Sequence, residues 1–148
     1  RPKHPKGKQG VAWLKDEINK SWVLHPEVLI YSTEIGIAGM MDLLVDNPED
    51  DVYAIADWKT NKKIYTNAFG GKRGTRGSTA DLADCNFIHY TLQLSLYRYI
   101  LEEYYGFKVA STILVHLHED KYKTYSCEYL KHSIIKMLKD RDVNGLIL

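Results

Sequence analysis

The chain has 148 residues, of which 45% are hydrophobic and 26% charged, a globular mixture that excludes a disordered or collagen-like polymer. Its 20 basic and 19 acidic side chains leave a formal charge of +1, so any surface for a polyanion must be local. Two cysteines, Cys85 and Cys127, are too few for a disulfide framework or a four-thiolate cluster, and no apolar run reaches membrane-spanning length. The expectation is a single domain over residues 1–148, intracellular, with reduced thiols and no membrane. The chain does not start with Met, which suggests a domain excised from, or preceded by, a longer chain.

In chain order, residues 1–8 read as a basic, flexible lead. Val11, Leu14, Ile18 and Trp22 then recur at helical spacing, which predicts an amphipathic helix over about 9–22. His25-Pro26 ends that pattern, because the residue before proline is driven to extended geometry. Residues 27–35, 37–45 and 52–59 read as three strands of a meander, with Gly36 at the first reversal and Asn47-Pro48 with Asp50 and Asp51 at the second. A second helix is predicted over 87–105 with Gly106 as its C-cap. Strands over 109–118 and 122–129 and a closing helix over 130–138 follow.

The informative stretch is Gly39 to Thr60. Asp42 lies among Met40, Met41, Leu43, Leu44 and Val45, where a carboxylate is costly unless a cation or hydrogen-bond donors receive it. Strand alternation puts Asp57 and Lys59 on one face and Trp58 on the other. Two acids and a lysine on neighbouring strands suit a hard divalent cation, and so metal-assisted hydrolysis. Glu34, near the end of the first strand, and Glu17, on the first helix, are further acids in the chain. Each is read equally well or better as a solvent-facing residue.

The long connection over 61–86 carries Lys62, Lys63, Lys72, Arg73 and Arg76 with Tyr65 and Phe69 interleaved. Cations for phosphates and rings for base stacking are what a nucleic-acid strand needs; the bland alternative is a solvated crossover. On the second helix His89, Gln93 and Tyr97 step by four, a polar-tipped stripe facing either a cleft or the core. His116 and His118 form a His-x-His pair of the sort that binds zinc, but no third ligand stands nearby in sequence.

Gly39-Met-Met-Asp42, Asp57-Trp-Lys59 and Gln93-Leu-Ser-Leu-Tyr97, in this order on strand, strand and helix, resemble the PD-(D/E)XK nuclease superfamily, most closely its RecB-type exonuclease branch. The resemblance spans about Glu34 to His118. It implies an α/β (α+β) restriction-endonuclease-like fold: an αβββαβ core whose mixed central sheet is flanked by helices. It implies that Asp42 and Asp57 bind Mg²⁺ or Mn²⁺, with the Trp58 backbone carbonyl as a further ligand. Glu17 or Glu34 could add an acid. Lys59 would position the attacking water or stabilise charge on the phosphate, with Gln93 and Tyr97 completing the catalytic set. The implied activity is hydrolysis of DNA phosphodiester bonds, exonuclease-like on ends or single strands; the alternatives are an endonuclease and a non-cleaving nucleic-acid-binding module. A helicase or another replication or recombination protein is the implied partner. Two features depart from the pattern. Leu14 stands where many relatives carry a His or Glu ligand, and two cysteines cannot hold the iron–sulfur cluster of some relatives, so none is expected.

Overall fold

The computed structural model describes residues 4–66 and 85–144, with side chains up to 141. Its elements are α1 (Pro5–Glu17), β1 (Val23–Ser32), β2 (Ile37–Asn47), β3 (Val52–Lys59), α2 (Asn86–Tyr105), β4 (Val109–Leu117), β5 (Tyr122–Cys127) and α3 (Lys131–Asn144). The expected helix, three strands, helix, strand core is present. The class is α+β: a five-stranded sheet in spatial order β1-β2-β3-β4-β5, flanked by helices. Among the described strands only β3 and β4 pair in parallel. Parallel neighbours need a long crossover, and the connection containing α2 supplies it.

Each face of the sheet carries its own core. On one side Trp13 of α1 packs with Leu43, Val45, Ala56, Val115 and Leu117. On the other, Ile30, Met41, Leu44, Ile55 and Leu114 meet Leu92, Leu96 and Ile100 of α2 and Ile134 and Met137 of α3. β3 follows strict alternation: Ile55 belongs to the α2 side and Ala56 to the α1 side, where Trp58 meets Trp13 edge-to-face at 5.3 Å. Gly106 ends α2 in the left-handed region at φ 71°, as a C-cap glycine should.

Several boundaries differ from the sequence reading. From His4 onward the basic lead is not a free tail: the His4 side chain accepts the Lys6 backbone N–H at 3.2 Å, and α1 begins at Pro5, while residues 1–3 lie outside the described residues. Proline suits this first helical position because its missing N–H has no intrahelical acceptor. α1 therefore ends at Glu17 instead of continuing to Trp22. β1 runs through Pro26, which is tolerated because β1 is an edge strand. The closing helix runs on to Asn144.

Candidate metal and phosphodiester site

The site is built where two ladders fail at one residue. The β2–β3 ladder runs from Asn47↔Val52 to Leu43↔Ala56 and stops; one step further would set Asp42 opposite Asp57. On the other flank, β1–β2 pairing includes Pro26↔Leu43 and Val28↔Met41 but skips Glu27 and Asp42. Glu27 there has φ 52°, a conformation uncommon for residues other than glycine. The alternation of β2 also breaks at this point, since Met41 and Leu44 both pack on the α2 side while Leu43 lies on the α1 side. Asp42 thus escapes the regular ladder, and its Oδ2 accepts the Trp58 backbone N–H at 2.9 Å. In an extended residue the N–H and C=O leave by the same edge, so the Trp58 carbonyl opens into the same gap.

Asp57 lies across that gap and is 7% exposed. Lys59 Nζ stands 2.9 Å from its Oδ2, an ion pair at one oxygen of a carboxylate otherwise sealed from solvent. Burial, and next the adjoining Asp42 carboxylate, push the Asp57 carboxyl up from its ordinary 3.8 to about 6, with Lys59 pulling the other way. Two carboxylates held together out of water disfavour the charged form unless a cation joins them. The Lys59 ammonium also lies over the Tyr90 ring, 4.3 Å from its centroid, a cation–π contact that fixes its direction.

α2 supplies the wall. Gln93 Nε2 donates to Tyr97 Oη at 3.1 Å. Burial raises the Tyr97 phenol above its ordinary value, with Asp57 and Asp42 adding to the effect and Gln93 and the Met40 backbone opposing it. Tyr97 lies directly on Gly39: a Cβ there would fall 2.7 Å from Tyr97 Cε1 and 2.8 Å from its hydroxyl. The glycine three residues before Asp42 is therefore the space that Tyr97 fills.

Asp42, Asp57, Lys59, Gln93, Tyr97 and the Trp58 backbone thus converge. Other expected residues do not. Glu17 ends α1 on the opposite side of the sheet, where its Oε1 is 3.4 Å from the Tyr122 hydroxyl, so it is no ligand here. Glu34 is exposed in the β1–β2 turn, beyond the Ser32↔Ile37 pair; five strand residues, roughly 17 Å, separate that end from Asp42. His89, the first member of the expected stripe, is exposed, and Tyr90 takes its place against Lys59. A helix face repeats at three and four residues, so Tyr90, Gln93 and Tyr97 are the true stripe; spacing alone would have found Tyr90. His116 Nε2 is engaged at 2.5 Å by the Asn61 carbonyl.

Lys62, Lys63 and Tyr65 follow directly from β3. Their path is fixed by Asn86, whose Oδ1 accepts the Tyr65 N–H at 2.6 Å and whose Nδ2 donates to the Lys63 carbonyl at 3.1 Å. Tyr65 is 57% exposed. Lys72, Arg73 and Arg76 lie outside the described residues. Among the described residues, no group of three or more His, Cys, Asp or Glu is arranged to hold a metal. The donor set here is two carboxylates and a carbonyl, which suits an ion that keeps several waters and takes the rest of its ligands from substrate. The facing Asp42 and Asp57 carboxylates, whose closeness raises the Asp57 pKa, are the groups such an ion would neutralise.

No protein-family model matches the chain, and no curated protein does. Among solved structures, the crystal structure of SSO0001 is similar at 21% identity and a TM-score of 0.47, over 95% of this chain and 56% of that one. The chain thus spans about half the length of that protein.

Proposed function

We propose that the chain is a metal-dependent deoxyribonuclease of the PD-(D/E)XK kind, RecB-type, hydrolysing phosphodiester bonds at DNA ends or in single strands. The observation that carries this reading is the convergence of Asp42, Asp57 and Lys59 at a break in the sheet, with the buried Asp57 carboxylate held between Asp42 and the Lys59 ammonium. Asp42, Asp57 and the Trp58 carbonyl would hold Mg²⁺ or Mn²⁺. When bound, such an ion neutralises phosphate charge and lowers the pKa of a coordinated water.

The remaining work belongs to the chain. Lys59 is aimed by the Tyr90 ring and by Asp57, so its ammonium meets negative charge developing on the phosphoryl oxygens without reorganising first. Tyr97, held by Gln93 and seated on Gly39, fixes the β2 segment that delivers Asp42. Lys62, Lys63 and the exposed Tyr65 offer cations and a stacking ring to the strand beside the site. Buried free thiols at Cys85 and Cys127 accord with a reducing, intracellular setting. Among the described residues no helix is long and apolar enough to cross a membrane.

The test is Mg²⁺-dependent digestion of internally labelled DNA in four forms: linear or circular, single- or double-stranded. Degradation confined to linear substrates supports the exonuclease reading, cutting of circles makes the enzyme an endonuclease, and binding without cleavage in Mg²⁺ or Mn²⁺ overturns the hydrolase.

A further inference from the structure

On the face opposite Lys59 lies a groove of about 620 Å³ between the start of α1 and the ends of β3 and β4. His4, Lys6, Trp58, Thr60 and Leu117 are among its walls, and none of the described residues that line it is acidic. Gly10, also in the wall, is buried against Leu117. Lys6 Nζ donates to the Thr60 carbonyl at 2.6 Å, which leaves further ammonium N–H groups for other acceptors. That bond pins the groove's cation one residue beyond Lys59.

We propose that this groove is a second contact for a single nucleic-acid strand, with Lys6 and His4 meeting its phosphates and Trp58 offering a ring for a base. Three observations favour this occupant. The groove joins the Lys6 ammonium and the His4 ring to an indole, a charged donor beside a stacking surface as single strands require. Trp58 and Lys59 are adjacent residues on opposite faces, so a strand leaving the metal site needs only to turn over the end of β3, a passage on the order of 10 Å. A rigid duplex does not make so sharp a turn, and that restricts the groove to single strands. The inference rests on the nuclease reading of the metal site and extends it by defining where the strand goes.

The test measures binding and cleavage separately. Fluorescence anisotropy, with Ca²⁺ replacing Mg²⁺, follows a labelled oligothymidylate of about twelve nucleotides, within the usual span of single-strand sites. Lys6→Ala should weaken binding and flatten the log–log salt slope by roughly 0.7, the share of one phosphate contact on a single strand. His4→Asp separates binding from folding. Aspartate is a strong N-cap and its charge suits a helix N-terminus, so thermal melting should not fall, while the new carboxylate repels phosphate and lowers affinity on the order of tenfold. Wild-type affinity and salt slope in both variants would overturn the groove and leave the nuclease reading intact if the wild type cleaves in Mg²⁺. A wild type that binds the strand with this variant pattern but never cleaves would overturn the nuclease reading instead.

Discussion

Gly39→Ala tests the packing that aligns the site. The added Cβ would lie 2.7 Å from Tyr97 Cε1, 2.8 Å from its hydroxyl and 3.0 Å from Cζ, where ordinary carbon contacts need about 3.5–4.0 Å. Tyr97 cannot easily give way, since it is 6% exposed and tied to Gln93. The expected cost is that of overpacking, about 1–3 kcal/mol. In a Tyr97→Leu background the ring is gone, and alanine in place of strand glycine should return roughly 0.5–1 kcal/mol. Urea unfolding of the four proteins, followed by circular dichroism, therefore predicts a coupling energy of about 1.5–4 kcal/mol between the two positions. Equal cost of Gly39→Ala in both backgrounds, or no cost in the wild type, would refute the reasoning.

Other outcomes follow from the same contacts. Asp57 binds its proton more tightly folded than unfolded, so its burial costs nothing below about pH 4, and the penalty grows until pH passes about 6. In metal-free buffer Asp57→Asn should therefore be more stable than wild type at pH 7.5, by up to about 3 kcal/mol, with the gap closing toward pH 4; a gap independent of pH contradicts the shift. Lys59→Ala should fold normally and lose at least ~100-fold in cleavage rate, the scale for deleting an aimed electrostatic group; near-wild-type cleavage by the pure variant would remove Lys59 from the mechanism. Asn86→Ala should speed hydrogen exchange of the Tyr65 amide about fivefold, the equivalent of one hydrogen bond of about 1 kcal/mol, and an unchanged rate would show that Asn86 does not hold this segment.

Much of the fold was legible because it follows from short-range periodicity. The alternation of β3 placed Asp57 and Lys59 together and Trp58 opposite, and Gly106 marked the end of α2. What escaped the sequence came from tertiary context. Pro26 reads as a breaker, yet an edge strand spares its missing N–H. The basic residues at the start read as a tail, although His4 and Pro5 are a cap and a first-turn proline. Glu34 appeared close to Asp42 in sequence, but the turn that contains it sits at the far end of a long hairpin. The break in both ladders at Asp42 leaves no local signature, since it shows only in the pairing with β1, where Glu27 is left-handed, and with β3. Tyr90 is legible in the sequence, because a helix face repeats at three and four residues and not at four alone.

The central claim is that two carboxylates from adjoining strands share one divalent ion. Calorimetric titration of Mn²⁺ into the wild type, Asp42→Asn and Asp57→Asn addresses it directly. The account predicts a site in the wild type that each substitution abolishes or weakens severely, with both variants folded. Equal Mn²⁺ binding by all three proteins, or none by the wild type at millimolar ion, would contradict it.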